Sequence, residues 1–348
     1  MLATHGRIES ASLAGGRRLR AAYRHGVGHR YFYGCRRKRL GKLAMRKIKL
    51  IFNPMSDRGR SGQKASDLRA IVDEYGGADW VGSEYPTHAT ELAARAGLDG
   101  YDTVVALGGD GTVHEVVNGL MRVAAPHRPK LAVVPIGSGN DFAFGAGVPM
   151  DPAEAMKRAF TGATKPVDIG VLHDNNNRTE YWDNSVGIGF DGKINIMSRK
   201  ITGLYGFPMY LTAVLRTIFQ DYESAQMKLW IDDQPVVERN VLMLTLGNGP
   251  REGGGFLTTP DAQVGDGHFD YVIVGHMGRI AILGLLPKVM NGTHGSDKRV
   301  TISAFRKLRL EADRALPIHT DGELWSPYEV NTRVVEVEIM AGAIQLLT

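Results

Sequence analysis

A glycine-rich segment follows a short apolar run in the first third of the chain. Residues 103–107 are typical of a buried strand, and Gly108-Gly109-Asp110-Gly111-Thr112 leads from them into a helical pattern. Glycines let a backbone turn sharply and approach a ligand, and the N–H groups that begin a helix favour an anion such as phosphate. A strand-to-helix turn that simply needs glycine would have a similar sequence. The segment therefore predicts a phosphate-binding turn, with an ordinary tight turn as the alternative.

Two further polar loops follow other apolar runs. The first is Asn-Pro-Met-Ser-Asp-Arg-Gly-Arg-Ser-Gly at residues 53–62, and the second is Pro-Ile-Gly-Ser-Gly-Asn-Asp-Phe-Ala at residues 135–143. The carboxyl ends of parallel strands meet at one edge of a sheet, where α/β proteins bind ligands. The three loops therefore predict one pocket. An acid inside it, Asp110, would repel a bare phosphate and so indicates a cation or a reacting proton nearby.

Two acidic segments lie in the second half of the chain. One contains Asp266-Gly267, and the other contains Asp321-Gly322-Glu323. Side chains alternate in an extended segment, so we expect Asp321 and Glu323 to point to the same side. Each Asp-Gly pair could equally be a plain hairpin turn with incidental acids. The local sequence leaves both interpretations open.

The elements that would position these loops change character near residue 165. Before it, strand-like runs at 48–52, 80–81, 103–107 and 131–135 alternate with helical patterns at 63–74, 89–96 and 113–123. Such alternation predicts a parallel sheet covered by helices on both faces. After it, extended runs dominate, at 181–190, 225–231, 236–246, 268–274, 307–310 and 334–340. An α/β domain should therefore be followed by a mainly antiparallel β domain, with helices inserted near 208–219 and 278–290.

Composition limits the class of protein. The chain has 348 residues, of which 43% are hydrophobic and 23% charged, and its single cysteine is Cys35. These values are ordinary for a globular protein and exclude mainly disordered, collagen-like and disulfide-scaffold chains. One cysteine cannot form an internal disulfide, which fits a reducing compartment. No run approaches the roughly 18 apolar residues that a membrane span needs.

Positive charge is concentrated at the start of the chain. Residues 1–44 contain eleven lysines or arginines and one acid, Glu9, and lack helical or strand periodicity. An arginine-rich tail for RNA or membrane and a transit peptide both have this composition. Met45 opens a typical first strand, so we interpret residues 1–44 as a basic, disordered leader and Met45 as an alternative start. The remainder is mildly acidic, and no nucleic-acid partner is predicted.

From about Met45 to its end, the chain resembles the diacylglycerol kinase catalytic family of lipid kinases. Residues 108–112 with Glu115, Asn118 and Gly119 look like the first family signature, and residues 135–143 look like the second. The Gly-Gly-Asp-Gly motif alone is shared with NAD kinases and phosphofructokinases, but the pair of motifs is more specific. The resemblance implies a Rossmann-like or phosphofructokinase-like ATP-binding α/β domain at residues 45–164. A β-sandwich lipid-substrate domain would follow at residues 165–348, and its last segment would return to the first domain.

The resemblance also implies roles for individual residues. Residues implied to bind ATP are Asn53, Ser56, Ser83, Gly108, Gly109, Asp110, Gly111, Thr112 and Ser138. Glu323 is implied as the base that takes the proton of the lipid hydroxyl, with Asp321 or Asp110 as alternatives. A structural Mg²⁺ would be held by the carboxylate of Asp266 and by main-chain oxygens of Gln263 and His268, since oxygen ligands suit a hard cation.

The implied function is phosphoryl transfer from ATP, with Mg²⁺, to a lipid hydroxyl, with diacylglycerol giving phosphatidic acid as the expected case. The enzyme would be cytoplasmic and peripheral at the inner membrane face, and a homodimer is compatible with the sequence. One alternative is an NAD kinase or another kinase of soluble substrates. The other is a nucleotide-binding regulator without catalysis, which Asp57 favours. That residue replaces a glycine of the family and would place a negative charge beside the ATP phosphates.

Overall fold

The structure is a computed structural model that describes residues 46–54 and 61–348. The predicted leader, Ser56 and Asp57 lie outside the described residues. The helices and strands, in chain order, are β1 (Ile48–Phe52), α1 (Ser61–Asp67), α2 (Arg69–Glu74), β2 (Asp79–Gly82), α3 (His88–Leu98), β3 (Thr103–Gly108), α4 (Asp110–Met121), β4 (Lys130–Pro135), α5 (Asp141–Gly145), α6 (Pro152–Thr161), β5 (Thr164–Asp174), β6 (Thr179–Trp182), β7 (Ser185–Gly189), α7 (Phe190–Ser198), α8 (Gly206–Gln220), β8 (Ala225–Ile231), β9 (Val237–Gly247), β10 (Phe269–Gly275), α9 (Arg279–Met290), β11 (Val300–Phe305), β12 (Lys307–Ala312), β13 (Ile318–Thr320), β14 (Glu323–Ser326) and β15 (Val334–Leu347).

The first part of the chain forms a parallel sheet in the order β4-β3-β1-β2. Every residue of β3 is buried, because helices cover both faces of a parallel sheet and leave its central strand no contact with water. This burial explains the uninterrupted apolar run at 103–107. The predicted parallel α/β architecture is confirmed, and it brings the ends of β1, β3 and β4 to one edge.

The second part is mainly antiparallel, as predicted. Strands β7, β8 and β9 form neighbouring antiparallel pairs, and β12 pairs with β8 and β15. Buried and half-buried side chains alternate at the start of β15, where Val335 and Val337 are fully buried and Glu336 and Glu338 are not. On the opposite face of these strands, Lys307 pairs with Glu338. The basic residues of β12 therefore belong to a charged outer strand face.

The last strand joins the two parts of the sheet. β15 runs antiparallel to β5 along most of its length and then pairs in parallel with β4, where Leu346 lies opposite Leu131. A register shift between Met340 and Ile344 separates the two stretches of its pairing with β5. One continuous sheet thus crosses the region near residue 165 where we predict a domain boundary.

The prediction of one extended run at residues 181–190 is wrong in part. The chain forms β6 and β7 there and then turns into α7 at Phe190. Gly189, with φ of 76°, makes this turn in a conformation that glycine adopts without strain. Phe190 and Ile194 are both buried on the inner face of α7. Their spacing of four is a helical signal that the neighbouring strand pattern obscured.

Candidate active site

The loops after β3 and β4 touch each other through their glycines. A Cβ atom on Gly137 would lie 2.4 Å from the Cα atom of Gly109. A Cβ atom on Gly139 would lie 2.7 Å from a carboxylate oxygen of Asp110. Such distances leave no space for a side chain, so the close approach of the two loops requires glycine at both positions. The structure therefore brings these two predicted loops together.

Asp110 holds the second loop in place. Its carboxylate accepts the backbone N–H groups of Asn140, at 2.7 Å, and Asp141, at 2.6 Å, where α5 begins. Burial and the nearby charge of Asp141 raise the pKa of Asp110 to about 7. The carboxylate thus has a positioning role in the pocket, and its predicted alternative role as the base stays a prediction.

Arg251 adds a further connection that the sequence did not indicate. Its Nε atom donates to Asp141 at 2.7 Å, and its guanidinium also donates to the backbone carbonyl of Gly139 at 3.0 Å. Both side chains of the ion pair are largely buried. Arg251 therefore ties the loop after β9 to the loop after β4, and it offsets the negative charge of Asp141.

Two cavities meet at the glycine-rich turn. One, of about 510 Å³, is lined by the loop after β4 and by residues of α7 and α8, including Met209. The other, of about 480 Å³, is lined by residues that follow β1 and β2, including Glu84. Both cavities are bounded by Gly109, Gly111 and Glu323. The turn and this one glutamate therefore form a shared wall. We refer to the two spaces as the larger cavity and the smaller cavity.

Glu323, the first residue of β14, packs its side chain against the beginning of α4. A Cβ atom on Gly111 would lie 2.8 Å from its Oε1 atom, and Oε2 accepts a hydrogen bond from Arg199 at 2.9 Å. The side chain is 52% exposed, so its carboxylate is accessible from the cavities. The N-terminus of a helix carries partial positive charge, which favours an anion there, whether this carboxylate or a phosphate group.

The expectation that Asp321 and Glu323 point to the same side is wrong. Asp321 and Gly322 have φ values of 51° and 81°, so the chain makes a tight turn between β13 and β14 instead of continuing as a strand. The Asp321 carboxylate faces inward and accepts the backbone N–H groups of Asn184, at 2.8 Å, and Ser185, at 2.9 Å. The turn therefore separates a buried carboxylate from an accessible one.

His114, on α4, contacts two carboxylates in the interior. Its Nδ1 atom lies 2.8 Å from Asp321, and its Nε2 atom lies 2.9 Å from Glu180. Burial alone would lower the pKa of His114, but its hydrogen bonds to the two carboxylates raise it well above the ordinary histidine value. The imidazolium therefore links α4 to the turn that carries Glu323. No sequence pattern indicated a role for His114, although the residue follows the glycine-rich motif by two positions.

Replacing His114 by glutamine should destabilise the protein and change its pH dependence. Removing one partner of a buried ion pair costs roughly 3–5 kcal/mol. Because the folded-state pKa is raised, the stabilisation is complete below the unfolded-state pKa of about 6.5 and is lost as the pH rises through the folded-state value. Melting temperatures measured between about pH 6 and pH 10 should fall less steeply for His114→Gln than for the parent.

His173, an exposed residue that contacts Thr179, provides the matched control. His173→Gln should reproduce the parent's stability and its pH profile. If the His114→Gln and parent profiles run parallel, the imidazolium is not the source of this pH dependence.

A second buried cluster borders the larger cavity, whose wall includes Glu252 and His319. Asp191, Glu252 and His319 place one ligand atom each within 4.8 Å of one another, close enough to hold a metal ion. Tyr210 and Thr245 donate hydrogen bonds to Asp191 at 3.0 and 2.8 Å. Burial and the charge of Asp191 raise the pKa of Glu252 to about 8. Sequence reasoning missed Asp191 and Glu252, since no local motif surrounds them.

The predicted Mg²⁺ residues lie on the loop before β10. Asp266 accepts the backbone N–H of His268 at 3.0 Å, and Gln263 precedes them on the same loop. Burial, together with the charges of Asp266 and Asp261, raises the pKa of Asp270 to about 6. Negative charge thus accumulates on this loop, and its carboxylate and main-chain oxygens are a donor set that suits a hard cation.

Comparison with known proteins identifies the family. Residues 47–172 match the diacylglycerol kinase catalytic domain, and residues 184–348 match the YegS C-terminal NAD kinase beta sandwich-like domain. A protein of Chromohalobacter salexigens named "Probable lipid kinase YegS-like" is 35% identical over 248 residues, which cover 70% of this chain and 75% of that protein. The chain belongs to this family of lipid kinases. The resemblance inferred from the sequence is confirmed.

Two more relatives of this lipid kinase cover most of its length. The diacylglycerol kinase of Staphylococcus epidermidis is 30% identical over 304 residues, covering 84% of this chain and 91% of that protein. The crystal structure of a diacylglycerol kinase from Bacillus anthracis is similar with a TM-score of 0.69 and 25% identity, covering 88% of this chain and 98% of the other. The fold and the enzyme class are therefore those of lipid kinases.

Membership of a kinase family implies that this lipid kinase uses ATP. The residues predicted to bind ATP are divided between the two cavities. Asn53, Ser83 and Thr112 line the smaller cavity, and Ser138 lines the larger one. In residues 46–54 and 61–348, none of the helices combines the length and hydropathy needed to cross a bilayer.

Proposed function

We propose that this lipid kinase transfers the γ-phosphoryl group of ATP to a lipid hydroxyl, with diacylglycerol, the acceptor that the relatives' names indicate, giving phosphatidic acid. The observation that carries this proposal is the position of Glu323 on the wall between the two cavities, against Gly111. ATP would occupy the smaller cavity with its phosphates at the glycine-rich turn. The acceptor would enter from the larger cavity, whose wall includes Met209 and Tyr205.

The chemistry requires positioning more than covalent catalysis. Phosphoryl transfer has charge spread over the phosphoryl oxygens, and the N–H groups at the start of α4 are oriented to stabilise it. The accessible carboxylate of Glu323 would accept the proton of the attacking hydroxyl. Arg199, which binds Glu323 at 2.9 Å, would orient this carboxylate. Each group is already held by the fold, so little reorganisation is needed on binding.

We also propose that the loop before β10 holds Mg²⁺, through Asp266 and main-chain oxygens of Gln263 and His268. The charge that accumulates there supports this assignment. A cation bound at this loop would neutralise the carboxylates and stabilise the loop against β10.

Asp266→Asn should weaken the stabilisation of the protein by Mg²⁺. A cation that binds only the folded state stabilises it by about 2.7 kcal/mol when the free cation concentration is one hundred times the dissociation constant. The melting temperature of the parent, measured without nucleotide, should therefore rise with Mg²⁺, and that of the variant should rise much less. Asp233→Asn, on the exposed turn after β8, is the control and should respond like the parent. An equal response of Asp266→Asn would remove this site from the proposal.

We further propose that the kinase binds an anionic bilayer through one surface, called here the docking surface. It consists of five side chains that are between 37% and 87% exposed: Leu204, Tyr205, Leu215, Phe219 and Ile280. Leu215 and Phe219 are one helical turn apart on α8. Arg279 donates to the carbonyl of Ile218 at 2.8 Å, which places the start of α9 beside the end of α8.

The charge of the docking surface and its continuity with the larger cavity favour a membrane as its binding partner. Exposed basic residues flank the apolar ones, namely Arg199, Lys200, Arg216 and Arg279. Tyr205 belongs to both the docking surface and the wall of the larger cavity. Basic residues near an anionic bilayer contribute roughly 1 kcal/mol each, and apolar side chains add to this when they insert. A lipid could therefore pass from the bilayer into the cavity.

The double variant Phe219→Ser, Ile280→Ser should bind anionic vesicles roughly 10- to 100-fold more weakly, because two large apolar side chains no longer leave water. Sedimentation with vesicles that contain phosphatidylglycerol measures this binding. Leu98→Ser is the control, since Leu98 is 85% exposed at the end of α3, outside the docking surface. Equal losses in the control and the double variant would contradict the assignment.

Mass spectrometry of the reaction products tests the function itself. The protein is incubated with ATP, Mg²⁺ and either a lipid extract or NAD. We expect phosphate to be added to a lipid. Phosphorylation of NAD alone would instead support a kinase of soluble substrates. Binding of ATP without phosphorylation of any acceptor would support a regulator.

A further inference from the structure

A strained residue lies in the loop between β2 and α3, beside the smaller cavity. Thr87 has a φ of 71°, in the left-handed region that β-branched residues rarely adopt. Within the described residues, its side chain makes no capping hydrogen bond to α3, the helix that begins immediately after it. Residues 83–86 of the same loop line the smaller cavity. Strain of this kind persists only where the surrounding structure enforces it, so another group must hold the loop.

Glu115, on α4, is that group. Its Oε1 atom accepts the backbone N–H of Thr87 and its Oε2 atom accepts that of Ala89, both at 3.0 Å. The first N–H groups of a helix have no acceptor within the helix, and the helix dipole favours negative charge beside them. The carboxylate of Glu115 therefore caps α3 from a neighbouring helix and binds the strained residue at the same time.

The two helices are fixed relative to each other at this point. A Cβ atom on Gly119 of α4 would lie 2.3 Å from the carbonyl oxygen of Thr90 and 2.7 Å from the Cβ atom of Ala93, both on α3. Thr90 also donates its hydroxyl to the carbonyl of Glu115 at 2.9 Å. Because α4 begins at Asp110 in the glycine-rich turn, one helix carries that turn and the carboxylate that holds the loop across the smaller cavity.

We propose that Glu115 is a positioning residue for the nucleotide, which holds residues 83–87 in the conformation that binds ATP. This inference rests on the proposed function, because that function places ATP in the smaller cavity. Glu115 is occupied by backbone N–H groups, whereas the proposed proton acceptor is Glu323. Loss of the Glu115 carboxylate should therefore weaken the binding of ATP and leave the reaction of bound ATP nearly unchanged.

Glu115→Ala should bind ATP roughly 10- to 100-fold more weakly in calorimetry on the full chain, because only a small fraction of the molecules would keep the loop in its binding conformation. The KM for ATP should rise by a similar factor, and kcat on a lipid acceptor should fall by less than about threefold. A residue that served stability alone would lower the melting temperature without changing the affinity for ATP.

Thr87→Gly provides the rescue. Glycine adopts a positive φ without strain, so the loop should keep its conformation when the carboxylate is absent. The double variant Glu115→Ala, Thr87→Gly should therefore recover an ATP affinity within about threefold of the parent's, although the two replacements are made in contacting residues. An affinity of the double variant as low as that of Glu115→Ala overturns the inference.

Asp151→Ala is the matched control. Asp151 caps α6 by accepting the backbone N–H of Glu154 at 2.9 Å, and it is not among the described residues that line either cavity. Asp151→Ala and Glu115→Ala each remove a carboxylate that caps a helix, so both should lower the melting temperature. Only Glu115→Ala should lose affinity for ATP.

Parental ATP affinity in Glu115→Ala overturns the inference, and so does an equal loss of affinity in Asp151→Ala. If Glu115→Ala does not fold, Glu115→Gln replaces it in every comparison, because glutamine keeps one acceptor oxygen and loses the other. Failure of the proposed function has a different outcome, in which the ATP affinities follow the expected order but no lipid receives phosphate.

Discussion

Glu323→Gln should lower turnover by roughly 10²- to 10⁴-fold, which is the usual contribution of a positioned general base. Glutamine keeps the shape and the hydrogen bonds of the side chain, but it cannot take the proton of the lipid hydroxyl. The affinity for ATP should change little, because Glu323 contacts the turn at Gly111 on the wall of the smaller cavity and leaves the backbone N–H groups of α4 in place. Initial rates on a lipid acceptor and calorimetry with ATP measure the two quantities separately.

Glu329→Gln is the matched control for this variant. Glu329 is an exposed acid six residues beyond Glu323, so the same charge is removed from the same part of the chain. Its turnover should equal that of the parent. If Glu323→Gln retains near-parental turnover, the base is another group, and Asp110 and Asp321 become the residues to replace. A large loss of ATP affinity in Glu323→Gln would assign the carboxylate to nucleotide binding.

Gly137→Ala should impair both folding stability and nucleotide binding. The new Cβ atom would lie 2.4 Å from the Cα atom of Gly109 and 2.9 Å from the side-chain oxygen of Asn140, so backbone must move. Inserting a methyl group into such a packed contact costs roughly 1–3 kcal/mol. The movement also separates the two loops that we propose to bind phosphate, and we expect ATP affinity to fall by more than about tenfold, since loop N–H groups act only in their aligned geometry.

Gly284→Ala isolates the effect of the close contact. Gly284 lies in α9, and a Cβ atom added there would have no neighbour within 4 Å outside the backbone of its own helix. Alanine therefore fits at this position and should stabilise the helix by roughly 0.5–1 kcal/mol. Thermal unfolding and ATP titration of both variants give the comparison. Unchanged ATP affinity in Gly137→Ala would show that the contact between the loops is dispensable for the nucleotide.

The sequence by itself predicted the parallel strands β1, β3 and β4 and the glycine-rich loops that follow β3 and β4, but it did not predict α6 or α7. β3 is buried on both faces and appears as a continuous apolar run, whereas β8 is buried mainly on one face and appears as alternation. The glycine-rich turn was equally visible, because its function depends on backbone freedom that only glycine supplies. The predictions made from these local patterns hold for the parallel and antiparallel parts of the fold.

Only the tertiary structure decided which side chains meet inside the site. His114 and Asp321 are separated by 207 residues, and Arg251 and Asp141 by 110 residues, so no local pattern records either contact. The opposite orientations of Asp321 and Glu323 depend on positive φ values at Asp321 and Gly322, which the surrounding hydrogen bonds of Asp321 enforce. Local sequence patterns specify the strands and the turns. The contact between His114 and Asp321 arises only when β13, β7 and α4 pack together, and the contact between Arg251 and Asp141 arises only when the loop after β9 meets α5.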